Sequence, residues 1–228
     1  MNLNLAMNNY YYLVRSSDRK IVGEYTQMVA YDDDETYNLL KSEYRILKKN
    51  SFQSVPIDRI NIPIKVGEES FLTDFISSGF IGITNAIFTD RVVQLLKNFN
   101  TLNTQIVNIK ILYKNLIYDN YKIVHFTESL LPKVNFDKSE FYNSMTLDPI
   151  LIKNYDDFIT KRNDLVKKYE QPFLQKIIID KKHIEGLDYF TIGDSSFDLI
   201  VSERLKQALI SNKITGVDFK EITDIIFE

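Results

Sequence analysis

Alternation and helical spacing divide most of this chain into segments that predict their own structure. Tyr10-Tyr11-Tyr12-Leu13-Val14 reads as a strand, Ser16-Ser17-Asp18 as a turn, and the run from Ile21 to Val29 as the second strand of a hairpin. Carboxylates in a first helical turn, followed by Tyr37, Leu40, Tyr44 and Leu47 at helical spacing, predict a helix from Asp34 to Lys49. Pro56 and Pro63 punctuate an extended stretch in which Ile60, Ile62 and Ile64 alternate like a strand. Val107, Ile109, Ile111 and Tyr113 share one face of a period-two pattern. Leu116–Tyr118 and Tyr121–Phe126 flank Asp119-Asn120, which reads as a hairpin turn. A helix is predicted from Tyr155 to Glu170, with Phe158, Leu165 and Tyr169 inward and Pro172 ending it. Phe173–Ile179 and Leu187–Ile192 complete the strands.

One pattern occurs twice. Ile87-Phe88-Thr89-Asp90-Arg91-Val92-Val93-Gln94-Leu95-Leu96 aligns without a gap with Ile200-Val201-Ser202-Glu203-Arg204-Leu205-Lys206-Gln207-Ala208-Leu209, 113 residues later. The same offset carries Ile106 onto Phe219. Thr89 and Ser202 are natural N-caps, since a hydroxyl can accept from an early helix N–H. Asp90 and Glu203 then sit where the helix dipole favours negative charge. Val92, Leu95, Leu96 and Phe99 mark the buried side of the first helix, and Leu205, Ala208 and Leu209 that of the second. Asn212 and Gly216 let the second helix end and turn into Val217-Asp218-Phe219. The unit is strand, capped helix, strand, with copies over about 86–111 and 199–224. It predicts an α+β fold of mixed sheets packed with helices: an N-terminal strand and helix lobe over 1–70 and a repeat-containing lobe over 71–228, in one body.

Composition narrows the chemistry. The 228 residues are 44% hydrophobic and 26% charged, as a globular protein requires. The absence of Cys removes disulfides, thiolate nucleophiles and zinc–thiolate sites, and two His leave no three-histidine metal site. A net charge of −3 argues against a general nucleic-acid binder. Neither a signal peptide nor a run of 18 apolar residues is present, so neither export nor a membrane span is expected and the cytoplasm is the expected location. The 29 Ile, set against 4 Ala, tilt local preference towards strands.

The stretch Phe197-Asp198-Leu199-Ile200-Val201-Ser202-Glu203-Arg204-Leu205-Lys206, continuing to Ile214-Thr215-Gly216-Val217-Asp218-Phe219, resembles a signature of bacterial polymorphic-toxin immunity proteins. Tyr189-Phe190-Thr191-Ile192 and Tyr11-Tyr12-Leu13 are similar to the same family. The resemblance implies an inhibitor that binds one cognate toxin domain and occludes its active site or substrate groove. It implies no cofactor and carries over no catalytic residue. The first copy departs from the signature, with Thr89-Asp90 for Ser-Glu and no Gly after its helix.

Several residues carry alternative readings. Asp32-Asp33-Asp34-Glu35 either steers a basic partner or simply opens a helix at a solvated loop. Arg91 and Arg204 either bind an anion at a helix N-terminus or pair with a nearby carboxylate. Thr89, Asp90, Arg91, Ser202, Glu203, Arg204 and Gly216 are read as parts of a structural motif. An enzyme would have to use His125 with a carboxylate such as Glu128, Asp74 or Asp194, and a general binding or oligomeric module would draw on the abundant Tyr and Phe. His183 lies beside Lys181 and Lys182 in an expected exposed turn. Specific contact surfaces must differ between partners, so the repeat is expected to be frame, and the N-terminal and middle segments the contact face.

Overall fold

The computed structural model describes residues 10–23, 27, 29, 31–49, 51–76, 86–193 and 199–228, and shows an α+β fold. The chain begins with β1 (Tyr10–Arg15), α1 (Arg19–Val22), α2 (Asp34–Lys49), β2 (Ile64–Lys65) and β3 (Phe75–Ile76). The first copy of the repeat supplies β4 (Ala86–Thr89), α3 (Asp90–Leu96) and β5 (Thr104–Tyr113), which turns into β6 (Leu116–Phe126). Next come β7 (Glu140–Asn143), α4 (Tyr155–Val166), β8 (Pro172–Ile179) and β9 (Tyr189–Phe190). The second copy supplies β10 (Leu199–Ser202), α5 (Glu203–Ser211) and β11 (Val217–Glu221), and β12 (Ile225–Phe227) is last.

A five-stranded sheet, ordered β2-β5-β6-β4-β3, separates two cores. Period-two alternation sends Ile76, Ile87, Val107, Ile109, Ile111 and Ile123 to one face, where Leu40, Tyr44 and Leu47 of α2 cover them. Phe75, Ala86, Phe88, Val124 and Phe126 face the larger core on the other side. Two buried faces account for the unbroken apolar run Ala86-Ile87-Phe88, which a half-solvated strand would interrupt with polar residues. Helix α2 keeps its predicted limits: Asp33 accepts from the Thr36 N–H at 2.7 Å, and the 40, 44, 47 spacing makes one stripe. Leu47 is fully buried there, so truncating it to Ala removes roughly 2–5 kcal/mol.

The second sheet, ordered β11-β1-β10-β9, repeats part of the first. In both, the first strand after the helix pairs antiparallel with a third strand, which pairs antiparallel with the strand before the helix. Val124 lies between Ile106 and Ala86; Leu13 lies between Phe219 and Leu199, the residues 113 positions later. Tyr121 faces Thr89 and Tyr10 faces Ser202. The Thr127 N–H donates to Asn103 O at 2.9 Å, and in the second sheet the Ser16 N–H donates to Gly216 O at 2.9 Å. The duplication thus extends to four strands and a helix. The second copy takes its third strand from β1, while the first takes it from the hairpin strand β6.

Several expectations are corrected. The described part of the expected second strand does not pair with β1: Asp18 caps the one-turn helix α1, which takes up Ile21 and Val22, and β1 is flanked by β10 and β11. Residues 24–26 and 28 lie outside the described residues. Asp119-Asn120 is no hairpin turn, because β6 runs through it; the register slips there, pairing Ile109 with Tyr121 and Ile111 with Tyr118. The turn falls at Lys114-Asn115, both with positive φ (49° and 62°), as a two-residue hairpin requires. Helix α4 stops at Val166, where Tyr169 turns left-handed (φ 63°) and the Glu170 N–H closes back on Leu165 O. Tyr169 is 95% exposed and contributes nothing to the core, and Pro172 opens β8. Of Leu187–Ile192 only Tyr189–Phe190 is strand, and of the Ile60–Ile64 stretch only Ile64 begins one. Val55, Ile60 and Val66 share an apolar cluster with Ile87 and Ile123, as parts of one body.

Candidate functional site

Each copy is fastened by one aspartate placed just before its first strand. Asp74 Oδ1 accepts from Thr89 Oγ1 (2.8 Å) and Arg91 Nε (2.6 Å). Its Oδ2 accepts from Arg91 Nη2 (2.6 Å), the Thr215 N–H (2.9 Å) and Thr215 Oγ1 (2.8 Å). Asp188 Oδ1 accepts from Ser202 Oγ (2.6 Å) and Arg204 Nε (3.1 Å), and its Oδ2 from Arg204 Nη2 and the Asn100 N–H (2.9 Å). The backbone repeats as well: the Thr89 N–H donates to Asp74 O and the Ser202 N–H to Asp188 O, both at 2.9 Å. Bidentate arginine and several charge-assisted donors make each clamp strong and directional.

The clamps are reciprocal. Thr215, which follows α5 of the second copy, closes on Asp74 of the first; Asn100, which follows α3 of the first, closes on Asp188 of the second. Arg91 also donates to Lys213 O at 2.9 Å, and Arg204 lies over the Phe99 ring. Gly216 is needed beside this junction: its φ is 82°, and a Cβ there would stand 2.5 Å from Thr73 Oγ1 and 2.6 Å from Phe75 O. Burial alone would push the Asp74 carboxyl up, but Arg91, Thr215 and Thr89 together outweigh it and hold it at about 2. Burial also opposes ionisation of Asp188, and Arg204, Ser202 and the Asn100 N–H overcome it, so its carboxyl is lowered too.

These contacts decide several alternatives. Arg91 and Arg204 spend their forks on Asp74 and Asp188, which is the ion-pair reading and not the anion-binding one. Ser202 caps α5 by accepting from the Leu205 N–H. Thr89 does not cap α3; its hydroxyl is turned to Asp74. Asp90 pairs with Lys122 at 3.2 Å and Glu203 accepts from Gln207, so both first-turn carboxylates are locally engaged. In the acidic segment, Asp32 pairs with Lys65 and Asp33 starts α2, while Asp34 and Glu35 remain exposed in its first turn.

His125 is fully buried and its Nε2 lies 2.8 Å from Gln53 O, whereas Glu128 accepts from the Asn103 N–H. Asp74 is committed to its clamp. Asp194 lies outside the described residues. His183 ends a short 3-10 turn capped by Asp180. Among the described residues no group of three His, Asp or Glu converges as metal ligands, and no helix is long and apolar enough to cross a membrane.

Exposed apolar side chains are spread over several elements, and two surface features bear on binding. The turns that follow β7 and precede β8 present Met145, Leu147 and Tyr169 to solvent beside Val166 of α4 and Phe173 of β8, and paired hydrogen bonds between Ser144 and Gln171 tie these turns together. Leu147 and Tyr169 both hold positive φ (60° and 63°), an unfavourable backbone for bulky side chains. The second feature is the outer edge of β11, which no strand covers among the described residues. Neither was legible as a site in the sequence. No protein-family model matches the chain, and no curated protein matches it in a sequence comparison.

Proposed function

We propose that this chain is an immunity-type protein that binds a cognate bacterial toxin domain and neutralises it by occlusion, without a cofactor. The observation that carries the reading is where the resembling residues lie. Ser202 and Arg204 of the signature hold the Asp188 clamp of the second copy, and Thr215 and Gly216 close that copy on the first. A family held together by such a junction can vary its outer surfaces for each partner while keeping the frame, as specificity requires. The apolar end around Tyr169 supports the reading further, since an exposed aromatic on a rigid turn is a good interface anchor.

The test is co-expression with a toxin domain encoded beside this chain's gene. Rescue of growth together with a stoichiometric complex is the expected result; no rescue and no complex would contradict it. Charge reversal of Asp32, Asp33, Asp34 and Glu35 asks a narrower question. If these residues steer a basic partner, the association rate falls and its salt dependence weakens, whereas an unchanged rate leaves them as a helix start.

A further inference from the structure

The two copies have four outer strand edges between them, and the described residues cover three. Thr215 O takes the Phe75 N–H and so covers β3. Asn100 O takes the Asp188 and Tyr189 N–H groups, and the Leu102 N–H donates to Tyr189 O, which covers β9. Residues 55–66 cover β5: the Asn108 N–H donates to Asp58 O (2.7 Å), the Ile60 N–H donates to Asn108 O (2.8 Å), and the Gln105 side chain holds Val55 and Ile57. This segment runs parallel to β5. The fourth edge is that of β11. Gly216 O accepts from Ser16, so the backbone groups of 216, 218 and 220 face β1 and those of Val217, Phe219 and Glu221 face outward. Glu221 occupies the position of Asn108, and among the described residues nothing pairs with it from outside.

We infer that the open edge of β11 is a docking site for a basic, extended segment of the partner protein, laid parallel to Val217–Glu221 as residues 55–60 lie along β5. Main-chain pairing at a free edge supplies affinity, and alternate side chains supply selectivity. The charge of the segment follows from the strand itself. Glu221 is exposed on this edge, and Asp218 and Asp224, which accept from the Ser17 N–H and the Tyr12 hydroxyl and keep their negative charge, add to it against a single Lys220 within 217–224, so Lys or Arg on the docking strand is favoured and an acidic strand is repelled. The inference rests on the immunity reading only for the partner's identity.

The test uses the whole isotope-labelled chain and a blocked octapeptide alternating Val or Ile with Lys, with a Val/Glu octapeptide as control. The basic peptide is expected to shift the Phe219 and Glu221 amides and the acidic one to bind at least roughly tenfold more weakly. Phe219→Pro, which removes an outward N–H and keeps the β1 pairing, should bind the basic peptide roughly tenfold or more weakly than Phe219→Ala, which loses the same ring packing against the core and keeps the N–H. Absence of shifts at these amides at millimolar basic peptide, or equal binding by Phe219→Pro and Phe219→Ala, would overturn the inference. A toxin domain that binds without protecting the β11 amides sinks the edge site and leaves the immunity reading standing. Peptide docking at β11 with no toxin binding has the opposite consequence.

Discussion

The first copy of the duplicated unit draws its third strand from the hairpin that follows β5, whereas the second draws it from β1, at the other end of the described chain. Leu13 nevertheless meets Phe219 and Leu199 in the register in which Val124 meets Ile106 and Ala86. At the equivalent register position each strand carries a buried tyrosine whose hydroxyl donates to a carbonyl, Tyr121 to Thr73 and Tyr10 to Ile184. A sheet needs a strand of the right alternation at the right place, and its origin along the chain is immaterial to the frame. The clamps behave the same way, with Thr exchanged for Ser and Thr215 for Asn100, while aspartate and bidentate arginine stay. What differs is the border: β5 is covered by residues 55–66, and among the described residues nothing covers β11.

Breaking a clamp should show the largest effect. Asp74→Ala or Asp188→Ala leaves a guanidinium and a hydroxyl without their partner and should cost about 2–3 kcal/mol in urea denaturation, below the range for fully buried pairs because both arginines are half-exposed. A large loss at one aspartate and none at the other would contradict the equivalence of the copies. The clamps also set acid sensitivity. The folded Asp74 carboxyl lies below its unfolded value near 4, so its contribution is complete above about pH 4 and is lost as pH falls towards about 2. Asp74→Asn should therefore flatten the dependence of stability on pH within that window.

Gly216 sharpens the comparison at the next level. Gly216→Ala meets both a positive φ and the Thr73 and Phe75 contacts, and should cost about 2 kcal/mol or more. Asn103→Ala, at the equivalent position of the first copy, should stay within about 0.5 kcal/mol, since only its backbone joins the frame. The smallest effect concerns tyrosine hydroxyls. Tyr189 is fully buried and its hydroxyl has no partner among the described residues, so Tyr189→Phe should be neutral or stabilise by up to about 1 kcal/mol. Tyr10→Phe, which loses the bond to Ile184 O, should destabilise by about 1 kcal/mol. Thermal melts of the two variants moving in the same direction would count against this assignment.

How much of this was legible varies with how local the signal is. Helix α2 and the alternation of β5 are written in spacing and first-turn carboxylates, and the structure keeps them. The two capped helices could be found because their alignment runs without a gap. The clamps were hidden because the spacing from aspartate to hydroxyl differs, 15 residues from Asp74 to Thr89 and 14 from Asp188 to Ser202. The role of β1 was hidden more deeply, since a tyrosine and an aliphatic residue are nearly all it shares with β6, and register is a property of the folded sheet. Asp119-Asn120 misled because turn-forming residues also suit a bulge. The exposed end around Tyr169 misled because an aromatic at helical spacing normally faces a core, and here the helix stops first.

Two equivalent strands differ in one respect: the outer edge of β5 is covered, and that of β11 has no cover among the described residues. Amide hydrogen exchange of the whole chain without a partner compares them directly at Asn108 and Glu221. The Asn108 N–H, bonded to Asp58 O, should exchange slowly, and the Glu221 N–H at close to the unprotected rate, while their inward neighbours Val107 and Lys220 are both protected. Glu221 exchanging as slowly as Asn108 would contradict the account.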